Sequence, residues 1–275
     1  MKFIYYGLTL LLLSTVSCQK ERIMDPTSDK FVETEPLVFK PNYIDVNGNI
    51  GGFYSAVPAH YSESGKKYPL IVWSHGNGQY GDGKDRLYDL LRAAIPELLD
   101  GKLFPPNFKV NGRNFSFIIL MPQYRLYPKN SEVYSFIDYA KRNYRIDTTR
   151  IYLSGLSEGS RWVCDVAAEK PSMFAAIVPI AGVSLSGDIP AKCKKLVDGN
   201  VPIWIFRNKD DHSLSTNKIE AFVSLLNSYH PAIPPKFTEF LPWGLNNHDA
   251  WTRATDPYYK ENGMNMYEWM LQYHR

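Results

Sequence analysis

The chain has 275 residues, of which 44% are hydrophobic, 21% charged and 14% aromatic, and its net charge is +3 from 31 Lys+Arg against 28 Asp+Glu. The length fits one large α/β domain behind a leading segment better than two domains, and the charged fraction excludes global disorder. A balance this even, with no run of basic residues, excludes the basic stripe of a nucleic-acid-binding protein.

Met1-Lys2 is a short basic start, residues 3–13 (FIYYGLTLLLL) are apolar, and Ser14-Thr15-Val16-Ser17-Cys18 follows. The apolar run is too short for a membrane-spanning helix, which needs about 20 residues. A charged start, a short apolar stretch and small residues after it describe an export signal. Thr15-Val16-Ser17-Cys18 resembles a bacterial lipoprotein signal, with Thr15 where that pattern usually has Leu. The resemblance implies that residues 1–17 are removed and that a lipid on Cys18 holds an envelope protein to a membrane. Residues 19–35 are polar and charged without apolar periodicity, so 18–35 reads as the lipidated cysteine and a flexible tether, and 36–275 as the folded domain.

The body alternates strands and helices. Asn47-Gly48 lies between two extended stretches, 37–46 and 52–57, and predicts a hairpin turn with positive φ at both positions. Residues 68–73, 115–121, 151–154, 175–180 and 202–206 are short continuous apolar runs, as expected of strands buried on both faces of a mainly parallel sheet. Helical spacing joins Val133, Phe136, Ile137, Ala140 and Tyr144. It recurs at Ile219, Phe222, Val223 and Leu226, with Asn217 and Glu220 as a capping box, and again at Met266, Trp269, Met270 and Tyr273. This alternation predicts an α/β fold, with helices on both faces of a mostly parallel sheet and an antiparallel hairpin at one edge. Cys164 and Cys193 read as free, partly buried thiols, a disulfide being the alternative. No CxxC or Cys/His cluster points to a metal.

One motif carries chemistry. Residues 151–154 lead into Gly155-Leu156-Ser157-Glu158-Gly159, and a helical face of Trp162, Val163, Val166 and Ala167 follows. A serine on a strained strand-to-helix turn needs neighbours without side chains, and the helix behind it aims free N–H groups at the reacting oxygen. A nucleophilic serine also needs a base and an orienting acid, which follow in the order Ser, Asp/Glu, His. Arg207-Asn208-Lys209-Asp210-Asp211 reads as the loop after one strand, and Asn247-His248-Asp249-Ala250-Trp251 lies in a loop after the strand at 237–241. Asp211 or Asp210 is then the acid and His248 the base. The oxyanion hole would use the amides of Glu158 and Asn77, the latter within Ser74-His75-Gly76-Asn77-Gly78, with Gly78 as second choice; His75 reads as structural. Tyr80, Tyr124, Tyr127, Trp243 and Trp251 stand near strand ends, and Tyr124 and Trp251 are taken as substrate contacts.

Lys67 to Val72, Ser74 to Gly78, Pro122-Gln123, Arg150 to Ser157 and His248 to Trp251 together resemble the α/β-hydrolase esterases. The similar group includes polyhydroxybutyrate-depolymerase-like, feruloyl-esterase-like and predicted-peptidase members, and the likeness spans residues 50–275. The resemblance implies Ser157 as nucleophile, His248 as base, and ester hydrolysis through an acyl-enzyme without metal or organic cofactor. Ungapped alignment puts the acid at Asp211, although the family's His-Gly pair before it is missing. Glu158 stands where the family often has Met or Gln, and a carboxylate there predicts weaker activity on acidic than on neutral esters. A serine peptidase on the same fold is the main alternative, and a non-catalytic binding protein a lesser one.

Overall fold

The computed structural model describes residues 31–184, 186–213, 216–242, 244 and 246–275. The expected signal, Cys18 and most of the tether lie outside the described residues. In chain order the elements are β1 (Val38–Asn42), β2 (Ile50–Val57), β3 (Tyr68–Ser74), α1 (Ala94–Asp100), β4 (Phe108–Val110), β5 (Arg113–Phe115) and β6 (Ile118–Tyr124). They continue with α2 (Asn130–Asn143), β7 (Ile146–Leu156), α3 (Glu158–Glu169), β8 (Ala176–Ile180), α4 (Ile189–Asp198) and β9 (Trp204–Asn208). The last are α5 (Thr216–Ser228), β10 (Lys236–Phe240), α6 (Trp251–Ala254) and α7 (Met266–Leu271).

Eight strands form one sheet in the order β1-β2-β6-β3-β7-β8-β9-β10. β1 and β2, and β2 and β6, pair antiparallel; from β6 to β10 every neighbour is parallel. The continuous apolar runs are explained by the two-residue period of a strand, which sends alternate side chains to opposite faces. Leu70, Val72, Ile118, Leu120, Ile151 and Leu153 join the core beneath α2, α3, α4 and α5. Ile71, Trp73, Ile119, Met121 and Tyr152 join the core on the other face, with α1, α6 and α7. Each large apolar side chain fully buried in this way stabilises the fold by about 1.5–3 kcal/mol. The expected helices at Val133, Ile219 and Met266 are α2, α5 and α7, with these residues buried.

Several local expectations are corrected. Asn47-Gly48 does sit in the turn between β1 and β2, but neither residue has positive φ. The Asn47 side chain instead accepts the amides of Asn49 and Ile50, both at 3.0 Å, which closes the turn as an Asx turn does. Positive-φ Asn-Gly turns are found instead at Asn262-Gly263 (φ 54° and 80°) and at Asn111 (φ 50°) and Gly112 (φ 77°), the latter joining β4 to β5, a hairpin the apolar pattern did not reveal. The run expected at 115–121 is therefore divided between β5 and β6. Asn217 lies inside α5, and Glu220 turns to the guanidinium of Arg207 at 2.7 Å, so the expected capping box does not form. Arg207 and Asn208 belong to β9 rather than to the loop after it. Within the segment read as tether, Phe31 packs edge-on against His60, and buried Glu33 accepts from His60 Nδ1 at 2.8 Å.

Cys164 on α3 and Cys193 on α4 are both free and buried. Burial pushes both thiols up, that of Cys193 to about 12. Neither is expected to react with a disulfide reagent such as DTNB in the native protein, and both should label once guanidinium unfolds it. Labelling of either in native protein at the rate of the unfolded chain would contradict this packing.

Candidate active site

Ser157 sits between β7 and α3 at φ 52° and ψ −117°, a conformation that costs a non-glycine residue about 1–3 kcal/mol. The turn holds because its two glycines let it press on the end of β3. A Cβ at Gly155 would lie 2.8 Å from Cβ of Ser74, and one at Gly159 would lie 2.5 Å from the carbonyl oxygen of His75. Three bonds tie the turn down on its other side. The Ser157 amide donates to the Ile180 carbonyl at 2.8 Å, the Ser160 hydroxyl donates to the Gly155 carbonyl at 2.7 Å, and the Ile180 amide donates to Ser160 Oγ at 2.8 Å.

Ser157, Asp211 and His248 follow the C-terminal ends of β7, β9 and β10, and the fold brings all three together. His248 Nε2 is 2.8 Å from Ser157 Oγ, and His248 Nδ1 is 2.7 Å from Asp211 Oδ2. Asp211 is buried and also accepts the Ser213 amide at 2.9 Å. Asp210 does not reach the imidazole; its Oδ1 is buried with no hydrogen-bond partner among the described residues. Asn208, at the end of β9, donates to the Asn247 carbonyl at 3.0 Å and thereby holds the histidine loop against the acid loop. The Trp251 ring stands perpendicular to the His248 ring, with centroids 5.2 Å apart. Trp251 therefore braces the imidazole edge-on at the rim of the site.

The loop after β3 closes over the serine. A Cβ at Gly76 would stand 3.4 Å from Ser157 Cβ. Asn77 is exposed on this loop, and Glu158 is the first residue of α3, whose first-turn amides have no intrahelical partners. The loop is pinned from below. His75 is buried, its Nδ1 donating to the Gly76 carbonyl at 2.9 Å and its Nε2 accepting the Tyr124 amide at 3.1 Å. Gln79 accepts the Gly76 amide, and Gln123 donates to the carbonyls of Gln79 and Arg86 at 3.0 and 2.7 Å.

Tyr124 does not line a cleft. It has no exposed surface and packs between His75 and Trp162, because the last residue of β6 points into the core beneath α3. Trp243 lies outside the described residues. Tyr80 and Tyr127 remain near the serine. Tyr80 donates its hydroxyl to the Glu158 carboxylate at 2.6 Å, and burial followed by that bond pushes its pKa up. Burial, then the nearby Asp165, pushes Tyr127 up to about 12. The Tyr80–Glu158 contact and Arg161 beside it went unrecognised in the sequence, where Tyr80 is 78 positions from its partner.

Burial lowers His75 from 6.5 to about 4, the bond to the Gly76 carbonyl opposing it. Folded, His75 is neutral; unfolded, it takes a proton near pH 6.5. The stability this group supports is fully present above that pH and falls as pH drops toward 4. The loss is about 3 kcal/mol in all and levels off below the folded value. Urea unfolding across this range should show the loss in wild type and a shallower one in His75→Gln, which retains an acceptor for the Tyr124 amide. Equal slopes would contradict the assignment.

No family model matches the chain. A bifunctional acetylxylan esterase/xylanase from Neocallimastix patriciarum is 31% identical over 91 residues, a match covering 33% of this chain and 13% of that protein. Among solved structures, a thermostable esterase superposes with a TM-score of 0.61 at 22% identity, over 87% of this chain and 63% of that one. A fluorophosphonate-binding serine hydrolase of Staphylococcus aureus, FphF, superposes with a TM-score of 0.58 at 14% identity, over 81% of this chain and 96% of that one. The sheet order, the crossovers and these superpositions establish that the chain has the α/β-hydrolase fold.

Proposed function

We propose that the protein is a serine hydrolase that cleaves carboxylic esters through an acyl-enzyme. The observation that carries this reading is the chain of contacts from Ser157 Oγ to His248 Nε2 and from His248 Nδ1 to Asp211 Oδ2, at 2.8 and 2.7 Å. The esterase and serine-hydrolase names of the similar proteins support it.

In the first step Ser157 Oγ attacks the ester carbonyl carbon as its proton passes to His248 Nε2. Asp211 holds the Nδ1–H tautomer and stabilises the imidazolium. The amides of Glu158 and Asn77 receive the negative charge on the carbonyl oxygen. When the C–O bond breaks, the imidazolium returns its proton to the leaving alcohol and the acyl group remains on Ser157. In the second step His248 takes a proton from water, the resulting nucleophile attacks the acyl carbon, and the proton returns to Ser157 as the acid leaves. The strained φ of Ser157 keeps the hydroxyl clear of the helix and within reach of both the base and the oxyanion donors.

Fluorophosphonate labelling and aryl-ester hydrolysis should both vanish in Ser157→Ala. Asp211→Asn should lower kcat by about 10³–10⁴-fold through loss of the correct tautomer, while Asp210→Asn leaves most of it. The opposite ranking of the two aspartates would overturn the assignment of the acid. We also propose export and anchoring through Cys18. Radiolabelled palmitate should enter the wild-type chain in a bacterial host and not Cys18→Ser, and equal incorporation would refute the anchor.

A further inference from the structure

One cation beside Ser157 is not used by the mechanism. Glu158, Arg161 and Asp165 form the partly exposed stripe of α3, which begins at the nucleophile. The two carboxylates are engaged. Glu158 accepts the Tyr80 hydroxyl at 2.6 Å, and Asp165 pairs with Lys192 at 2.6 Å and accepts from Ser184 Oγ. Arg161 lies between them half-buried. Its Nε is sealed from solvent with no hydrogen-bond partner, and the guanidinium has no ion pair among the described residues.

A buried N–H left unpaired in a native protein calls for an explanation, and a ligand acceptor is one. The surroundings favour a ligand. Tyr80 follows the oxyanion loop and Tyr127 follows β6, and both lie close enough to Arg161 for its charge to act on their hydroxyls. Two phenol rings thus stand near the guanidinium, one of them bonded to Glu158 at the start of the same helix. Arg161 is four positions beyond Ser157, about 6 Å along the helix axis. A guanidinium presents a planar fork of donors that matches a carboxylate with two parallel bonds.

We propose that Arg161 is a specificity-determining residue, and that its guanidinium binds a carboxylate carried a few bonds from the scissile carbonyl on the non-reacting part of the ester. This rests on the reading of Ser157 as an esterase nucleophile. It reverses the expectation drawn from Glu158 alone, since the Glu158 charge is held by Tyr80 and the cation one turn further on is unmatched. The preferred substrates are half-esters of diacids or esters bearing an acidic sugar, and the neutral counterparts are poorer.

The test compares 4-nitrophenyl hydrogen adipate with 4-nitrophenyl hexanoate in wild type, Arg161→Gln and Arg161→Lys. Wild type should favour the adipate. Arg161→Gln should reduce that preference about tenfold or more, through KM rather than kcat, and Arg161→Lys should recover part of it. A preference ratio that does not move on replacement overturns the proposal. A second arm needs no turnover: calorimetric binding of adipate to Ser157→Ala, with and without Arg161→Gln. Binding that requires Arg161 supports the proposal, and absent or Arg161-independent binding overturns it. If wild type turns over no ester while adipate binding still requires Arg161, the esterase reading fails and the anion site stands.

Discussion

A methyl group at Gly159 would stand 2.5 Å from the His75 carbonyl oxygen, and one at Gly155 would stand 2.8 Å from Cβ of Ser74. That close approach of the β7–α3 turn to the end of β3 is the constraint on which the rest of the site depends. It holds Ser157 at positive φ, starts α3 directly behind the serine, and brings the loop after β3 to within contact of it. A side chain at either glycine would push the turn outward and separate the hydroxyl from His248. The unfavourable backbone of one residue is held by the packing of two strands and a helix around it.

Beneath this turn the site is held by a network of buried hydrogen bonds, although Tyr124 Oη, Asn208 Oδ1 and Asp210 Oδ1 have no partner among the described residues. His75 joins Gly76 to the end of β6, Gln79 and Gln123 bind the next turns of the same loop, and Asn208 joins the two loops that carry Asp211 and His248. Each such bond contributes only about 0.5–1.5 kcal/mol net, yet each partner left alone would cost more. The network therefore matters more for fixing one loop geometry than for total stability. The Nε of Arg161 belongs to the same unpaired set and lies about one helical turn beyond Ser157.

Much of the architecture was legible in the residues. The apolar runs marked β3, β7, β8 and β9 because strands buried on both faces need no alternation, and the elbow was readable because its glycines are adjacent in sequence to the serine they serve. Signals that depend on a distant partner failed. Glu220 looked like a capping residue because Asn217 precedes it by three, but the buried Arg207 on β9 draws it away from the helix end. Tyr124 looked like a cleft residue because it ends a strand, but side-chain parity along β6 turns it inward. Asn47-Gly48 and Asn111-Gly112 are the same dipeptide, and only the second takes the positive-φ turn. The first lies in a longer loop, where the Asn47 side chain accepts the amides of Asn49 and Ile50 and donates to Glu132 and Ser135 on α2.

The sequence by itself determined the fold class, the serine on its strand-to-helix turn, and the order in which the candidate aspartates and histidine follow it, because these are written in local composition and periodicity. It left Asp210 and Asp211 equivalent in kind, one position apart in the same loop. Only the tertiary structure shows which of them meets the imidazole, since β9 and β10 bring the two loops side by side and Asp211 bonds to His248. The same is true of Tyr80, Glu158 and Arg161. Their charges and hydroxyls act on one another through space, and a linear chain carries no record of which side chains a sheet will bring within a few ångströms.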